Sequence, residues 1–368
     1  MKLWMFEALD TWFFRDGTPF NMGEGGRGEV RCGFPPSSNT LQGVIRQLIA
    51  ELRGWTPEKP ERWPEELGSP EDLGQLHLRG PYLNFAGEWL FPAPLLLMRK
   101  KSVGERHVLM RLRPNSASTL TEIGEVRLPV LVGEHGGVAP LEGWLTGRGL
   151  ARTLAGGLPD DGSIRPTSSL WEYEYRLGIG RERETRTAKD ELLYTTYHVR
   201  PARGLKLGVL VGGVPDDWQP NFTKLVRFGG EGRLARVEVK DPGPILPEQP
   251  ELTVRDGTIH FTATLVTPAR FGSPDKLREI LRHGPLGEVA NCISACIGKL
   301  RQVGGWDLAN KSPKPLLPAL PAGSTWFYEA PASAIDHIKA IHREALGPFS
   351  PYGDGEIVLG TWKEEHEA

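Results

Sequence analysis

Long hydrophobic runs, a disulfide framework and a strong charge of either sign are all missing from this 368-residue chain. The most apolar stretch, Trp89 to Met98, is short and broken by Pro92 and Pro94, and the opening MKLWMFEALD carries Glu7 with no apolar core ahead of a small-residue cleavage site. Neither a membrane span nor a secretory leader is expected, and a cytoplasmic location is. Three cysteines, Cys32, Cys292 and Cys296, are an odd number without a pairing pattern, and Cys292-x3-Cys296 lacks the further His or Cys that a zinc site needs. Reduced core thiols are the expectation. The 44 Lys/Arg against 46 Asp/Glu leave a net charge of -2, which argues against a chain that grips a polyanion alone through one strongly basic face.

Motifs of nucleotide chemistry are also wanting. Gly229 to Arg233 has no following Gly-Lys-Ser/Thr, Gly23 to Gly28 has no strand-to-helix setting, and Asp160-Asp161 and Asp216-Asp217 lack a Gly-Gly flank. No cofactor and no metal are expected. What the chain does have is glycine and proline, 45 and 32 residues spread throughout, which implies a loop-rich globular protein. At this length two domains are expected.

Periodicity supplies the elements. Leu3 to Phe14 reads as a strand closed by Arg15-Asp16-Gly17. Residues 40 to 53 place Leu41, Val44, Ile45, Leu48, Ile49 and Leu52 on one helical face, with Asn39 and Gln42 at capping-box spacing and Gly54 past the end. From about 55 to 170 no period is strong, and the stretch reads as an irregular insertion. Leu192 to Val199 and Leu205 to Val211 then read as paired strands, Trp218 to Val226 as a short helix ended by Gly229-Gly230, and Arg233 to Val239 as a strand. The order repeats: strand Thr258 to Val266, helix from Ser273-Pro274, strands Asn291 to Leu300 and Ser324 to Tyr328 joined by a loop Gly304 to Gly323, helix Ser333 to Leu346, strand Glu356 to Trp362. The expected fold class is α+β, with two tandem ferredoxin-like (RRM-like, βαββαβ) units: 1–245, including the insertion and a basic β-hairpin finger at about 176–200, and 246–368 with a glycine-rich C-terminal loop.

Positive charge concentrates in the finger. Residues 176 to 206 hold eight Lys/Arg against four acids, a local net charge of +4. Residues 329 to 368 are the reverse, with three Lys/Arg against eight acids, so that end is expected to face a protein partner.

Five pieces of the sequence, in one order, carry a resemblance. They are Phe13 to Phe20 (FFRDGTPF), Gly178-Ile179-Gly180-Arg181 with Arg186-Thr187, Gly229-Gly230-Glu231-Gly232-Arg233, Gly304-Gly305-Trp306-Asp307 with Pro313-Lys314-Pro315, and Gly353 to Gly360. With them the chain resembles the third-subunit family of the Cmr effector module, RAMP-superfamily proteins of type III-B CRISPR systems. The resemblance implies a non-catalytic scaffold that helps hold the 5′ repeat-derived tag of a CRISPR RNA beside a large polymerase/cyclase-like subunit and the backbone RAMP subunits. It covers the whole chain except the insertion.

Single-stranded RNA needs cations for phosphates, turn amides for close approach and planar groups for bases. The candidates are Arg15, Arg181, Arg183, Arg186, Lys189, His198 and Arg200 around the finger, Gly229, Gly230, Gly232 and Arg233 in one turn, Lys299, Arg301, Gly304, Gly305 and Trp306 in another, and Gly353 and Gly355 near the end. Each also has a plain structural reading as a turn, a cap or a packed ring. No RNA-recognition-motif strand is present, so bases stacked across the open sheet are not expected. For catalysis, the only histidine worth testing is His198, and Asp16 fits a turn-capping carboxylate. An RNA-processing RAMP endoribonuclease and a purely structural assembly protein remain the alternatives.

Overall fold

The computed structural model describes residues 1–15, 29–30, 32–101, 107–133, 136–182, 184–252, 254–307 and 312–363. It is mostly strands with few helices, and the chain divides into two compact units. The first comprises Met1–Ala86, Ser168–Pro242 and Gln302–Leu317; the second comprises Gly87–Thr167, Gly243–Arg301 and Pro318–Ala368.

In the first unit the strand Lys2–Ala8 runs between Leu205–Gly212 and Leu234–Lys240, antiparallel to both. His77–Phe85 lies outside Leu205–Gly212, and Phe222–Arg227 lies outside Leu234–Lys240. Alternation in Lys2–Ala8 sends Trp4 and Phe6 into the core, where neither is exposed. Trp4 meets Phe222 edge-on at 5.7 Å and Phe6 stacks on Phe228 at 4.8 Å. The Trp4 indole N–H, buried with its ring, donates to Gln219 Oε1 at 2.8 Å. Helix Ser38–Leu52 buries Leu41, Ile45, Leu48 and Ile49, the face its spacing predicts, each worth about 1.5–3 kcal/mol. Gly54 ends it at φ +85°, as expected. Asn39 is not the cap: it lies inside the helix, its side chain donates to Gly304 O at 2.8 Å, and Ser37 is the N-cap residue.

Three expectations for this unit are overturned. Leu192–Val199 is not the partner of Leu205–Val211; it belongs to Ala188–Pro201, which pairs with Trp171–Arg181, while Leu205–Gly212 takes His77–Phe85 from the supposed insertion. The five-residue loop at Arg200 looks like a hairpin, but sequence proximity lost to a longer ladder with more cross-strand pairs. Trp218–Val226 is not a helix: a short 3₁₀ turn, Asp216–Trp218, is followed by the strand Phe222–Arg227. Pro220 blocks helical propagation there and the edge of the sheet offers six paired residues instead. Nor is Gly304 to Gly323 a loop, since Arg301–Asp307 and Ser312–Leu320 are neighbouring strands.

In the second unit Thr258–Leu265 lies between Thr325–Pro331 and Ile357–Thr361, with Asn291–Cys296 outside Thr325–Pro331, all antiparallel. Helix Pro274–His283 starts as its Ser-Pro predicts, with the Ser273 hydroxyl accepting from Lys276 N at 3.1 Å. The second helix, expected to reach Leu346, is only Ile335–Ala340. Ile259, Phe261, Ala263, Trp326, Tyr328, Ile338, Ile357 and Leu359 make the core. The stretch 87–167, read as irregular, carries short strands, among them the hairpin Leu97–Lys101 with His107–Arg111, and the helix Gly147–Leu154. Runs of two to five residues are too short for period 2 to register.

Candidate nucleic-acid interface

The finger is the antiparallel ribbon Trp171–Arg181 with Ala188–Pro201, roughly 30 Å long for its ten-odd residue pairs. Its base is fixed by backbone bonds in both directions between Trp12 and Val199, each 2.8 Å. Trp171, buried, packs edge-on against Phe34 at 4.7 Å. At the tip Glu182 N bonds Thr187 O at 2.9 Å, and Arg186 turns the chain at φ +59°. Arg181 and Arg186 are exposed there, as a phosphate-reaching role requires. Arg183 lies outside the described residues, and of Lys189 only the strand placement is described.

Strand alternation gives the ribbon two unlike faces. Tyr173, Tyr175, Leu177 and Ile179 follow one another on one face, 48–58% exposed, with Tyr197 edge-on to Tyr175 at 5.6 Å. On the other face, near the base, two acids hold three arginines. Asp10 carboxylate oxygens accept from Arg200 at 3.0 Å, Arg176 at 3.3 Å and Arg233 at 3.4 Å, and Glu174 accepts from Arg176 at 2.7 Å and Arg200 at 2.6 Å. Partial burial works to raise both carboxyls, but the bonds from Arg200 and Arg176 outweigh it and hold Asp10 and Glu174 below the usual range. Arg200 is pushed up in turn by its bonds to Glu174 and Asp10.

His198 sits beneath this network, 1% exposed, its ring stacked on Phe13 at 5.0 Å and its Nδ1 3.4 Å from the Thr11 hydroxyl. Burial first, and then the Arg233 and Arg176 charges, push it down to about 4. A neutral, enclosed imidazole neither contacts a phosphate nor serves as a ready proton donor, so His198 is a packing residue of the finger base. Asp16 lies outside the described residues.

The structure gathers His198, Arg200 and Arg233 at this base, with Gly229 and Gly230 joined to it through Phe13. Arg15 is exposed and forms an isolated bridge with Cys32. Gly229 and Gly230 form the turn between Phe222–Arg227 and Leu234–Lys240 and press on Phe13: a Cβ at Gly229 would meet Phe13 O at 2.5 Å, and Gly230 N already donates to that oxygen at 2.8 Å. Gly232 faces open space. Gly304 O is occupied by Asn39, Gly305 is exposed, and the Trp306 side chain lies outside the described residues. Lys299 and Arg301 are exposed where the chain leaves the second unit.

Gly353 and Gly355 are a correction. Both are buried within the second unit, and their amides are spent on Ser350 O at 3.0 Å and Pro268 O at 2.8 Å. A Cβ on Gly355 would lie 2.2 Å from Leu346 O. The two acids beside them are equally internal: Asp354 binds the buried Arg270 at 2.5 Å, Arg270 lies 4.2 Å over the Phe349 ring, and Glu356 is fully buried. Of the acids counted toward a partner surface, these two belong to the core, while Asp336 and Glu344 are exposed.

Two features escaped the sequence reading. The Tyr173, Tyr175, Leu177, Ile179 stripe has a sequence signal, strict alternation with Glu172, Glu174 and Arg176. Asp10 left no signal, because its partners lie more than 160 residues away. No group of His, Cys, Asp or Glu suited to a metal occurs among the described residues, and none of their helices is long and apolar enough to cross a membrane.

Comparison with known proteins gives the family. "CRISPR system CMR subunit Cmr3" of Saccharolobus solfataricus is 27% identical over 184 residues, which is 49% of this chain and 51% of that protein, so the match spans about half of the curated relative. A chain of the cryo-EM structure of the Type III-B Cmr-beta bound to cognate target RNA and AMPPnP shares the fold, with a TM-score of 0.52 and 16% identity over 92% of this chain and 89% of that one. A chain of the same assembly with target RNA alone matches at 0.52 and 17% over the same shares. The model of the family "CRISPR-associated protein (Cas_Cmr3)" matches residues 4–362, nearly end to end, and the chain therefore belongs to the Cas_Cmr3 family of CRISPR-associated proteins.

Proposed function

We propose that this chain is a non-catalytic RNA-binding scaffold of a cytoplasmic type III-B CRISPR effector, acting in antiviral defence. In that role it helps hold the 5′ repeat-derived tag of the CRISPR RNA and docks the large polymerase/cyclase-like subunit and the backbone RAMP subunits. The observation that carries the reading is the family match over residues 4–362 together with a finger that ends in exposed Arg181 and Arg186 beside an exposed Tyr173/Tyr175 face. Cations for phosphates and rings for bases are what an unpaired strand requires.

We read the architecture as two ferredoxin-like units, 1–245 and 246–368, although the compact units exchange 87–167 and 302–317 across these bounds. Support comes from the strand orders His77, Leu205, Lys2, Leu234 and Asn291, Thr325, Thr258, Ile357, each named by first residue, which follow the 2-3-1-4 sequence of a βαββαβ sheet. In the first, the second helix is replaced by the edge strand Phe222–Arg227.

The endoribonuclease reading loses its best residue, since His198 is enclosed and neutral at pH 7. The test is native purification of the chain with sequencing of bound RNA and identification of bound proteins. RNAs sharing one repeat-derived 5′ segment, arriving with large and backbone subunits, are expected. The chain alone, or with uncut precursor RNA, would overturn the proposal.

A further inference from the structure

The densest positive charge in the chain is not in the finger. Residues 99–113 hold six Lys/Arg (Arg99, Lys100, Lys101, Arg106, Arg111, Arg113) against the single acid Glu105, a net charge of +5 in fifteen residues. The register of the hairpin Leu97–Lys101 with His107–Arg111, flanked by Val138–Pro140, shows what surrounds the described cations. Arg99 is opposite Leu109 and Ala139, Lys100 is opposite Val108 and Val138, and Lys101 is opposite His107. Strands stabilise charge by setting an opposite charge across the ladder, and like charges opposite each other are destabilising. Here no cross-strand position is acidic, and neither Arg99 nor Lys100 has a salt bridge or side-chain hydrogen bond among the described residues. Arg111, by contrast, is spent internally on the carbonyls of Thr153 at 2.6 Å and Thr361 at 3.0 Å.

Among the described residues nothing offsets the Arg99 and Lys100 charges, which points to an external anion. Arg99 and Lys100 are successive residues of the middle strand of three and so face opposite sides of the sheet. A flat acidic protein surface would meet one side only. A flexible phosphate chain can meet a cation on each.

We propose that this hairpin is a second, sequence-independent contact for the phosphates of single-stranded RNA, made by Arg99 and Lys100. The inference rests on the RNA-binding reading above but not on the finger. Its ligand is the sugar–phosphate backbone, so no base preference attaches to it.

The test is titration of the full chain with a fluorescent 20-residue oligouridylate across a series of salt concentrations. Arg99→Gln with Lys100→Gln is expected to weaken binding about tenfold at moderate salt and to reduce the slope of log K against log salt by about 1.4, the value for two lost phosphate contacts on a single strand. The charge-preserving pair Arg99→Lys with Lys100→Arg is expected to bind as the parent does, and Lys100→Gln alone to give about half the slope change, which guards against misfolding of the double variant. Unchanged affinity and slope in the Gln variants overturn the inference. Arg181→Glu with Arg186→Glu is titrated in parallel. Loss there alone leaves the finger reading standing and sinks the hairpin, loss at the hairpin alone does the opposite, and loss at neither sinks both. Weakening that depends on replacing oligouridylate by an acidic peptide, with RNA unaffected, would assign the surface to a protein and also overturn it.

Discussion

The base of the finger and the Arg99 hairpin are both antiparallel hairpins rich in arginine and lysine, yet they treat charge in opposite ways. At the finger base every described arginine of the cluster, Arg176, Arg200 and Arg233, is held by Asp10 or Glu174. In the Arg99 hairpin the ladder positions around the cations are Val, Leu, Ala and His. Arginines that are paired within the protein set its shape, because a phosphate must first displace a carboxylate to reach them. Cations left without acids cost stability in the chain itself and are available to a polyanion. Local charge count, which marks both regions alike, therefore says less about binding than the identity of the cross-strand residue does.

Acid should separate the two regions most sharply. His198, under the finger base, is held down to about 4 against 6.5 in an unfolded chain. Between those values the unfolded state binds the proton and the folded state does not, so stability rises with pH across the window and is lost as pH falls from 6.5 to 4. The shift corresponds to about 3 kcal/mol at its low end. The depressed Asp10 and Glu174 add a second loss in the same direction as pH drops through their folded values, below the usual carboxylate range. Urea unfolding followed at a series of pH values is expected to show the first loss in the parent, and His198→Gln to flatten it. A parent whose stability is level from pH 6.5 to 4 would mean that His198 is open to water. No such dependence is expected from the cations of the other hairpin.

How far the sequence could be read follows the same division between local and distant causes. Helix Ser38–Leu52 was legible because its period, its apolar face and Gly54 all lie within seventeen residues. The sheet strands Thr258–Leu265, Thr325–Pro331 and Ile357–Thr361 were legible for the same reason, to within a few residues. The partner of Leu205–Gly212 was not, since the choice between the nearby Leu192–Val199 and the distant His77–Phe85 is settled by the better ladder. Among candidate site residues the exposed Arg181 and Arg186 needed only a turn signal, whereas the neutralisation of Arg200 and Arg233 depends on Asp10, which no local pattern connects to them. Gly353 and Gly355 look like any glycine turn, and only packing against Leu346 and Pro268 reveals them as core.

Removing the acids should convert the first region toward the second. Asp10→Asn with Glu174→Gln leaves Arg176, Arg200 and Arg233 converging without counter-charge. A loss of about 2 kcal/mol in urea unfolding is expected, a figure kept low because the Asp10 side chain is half exposed and solvent screens it. The same variant is expected to bind oligouridylate more tightly and with a steeper salt slope than the parent, since three guanidinium groups become available. Weaker folding with unchanged RNA binding would show that the finger base is shielded for some other reason, and that pairing is not what silences it.

The reciprocal change is the smallest and the most discriminating. In the Arg99 hairpin no pair among the described residues is broken when Arg99→Gln and Lys100→Gln remove two charges, and the repulsion along the strand is relieved. Stability is therefore expected to stay level or rise by no more than about 0.5 kcal/mol, the range of surface changes away from special features. Added salt should narrow even that difference by screening the repulsion in the parent, which exposed charges permit and buried ones do not. Thermal melting of parent and variant at low and high salt measures both effects. A clear loss of stability in the variant would mean that Arg99 or Lys100 has a structural counter-charge after all, and the contrast between the two ribbons would then be one of degree.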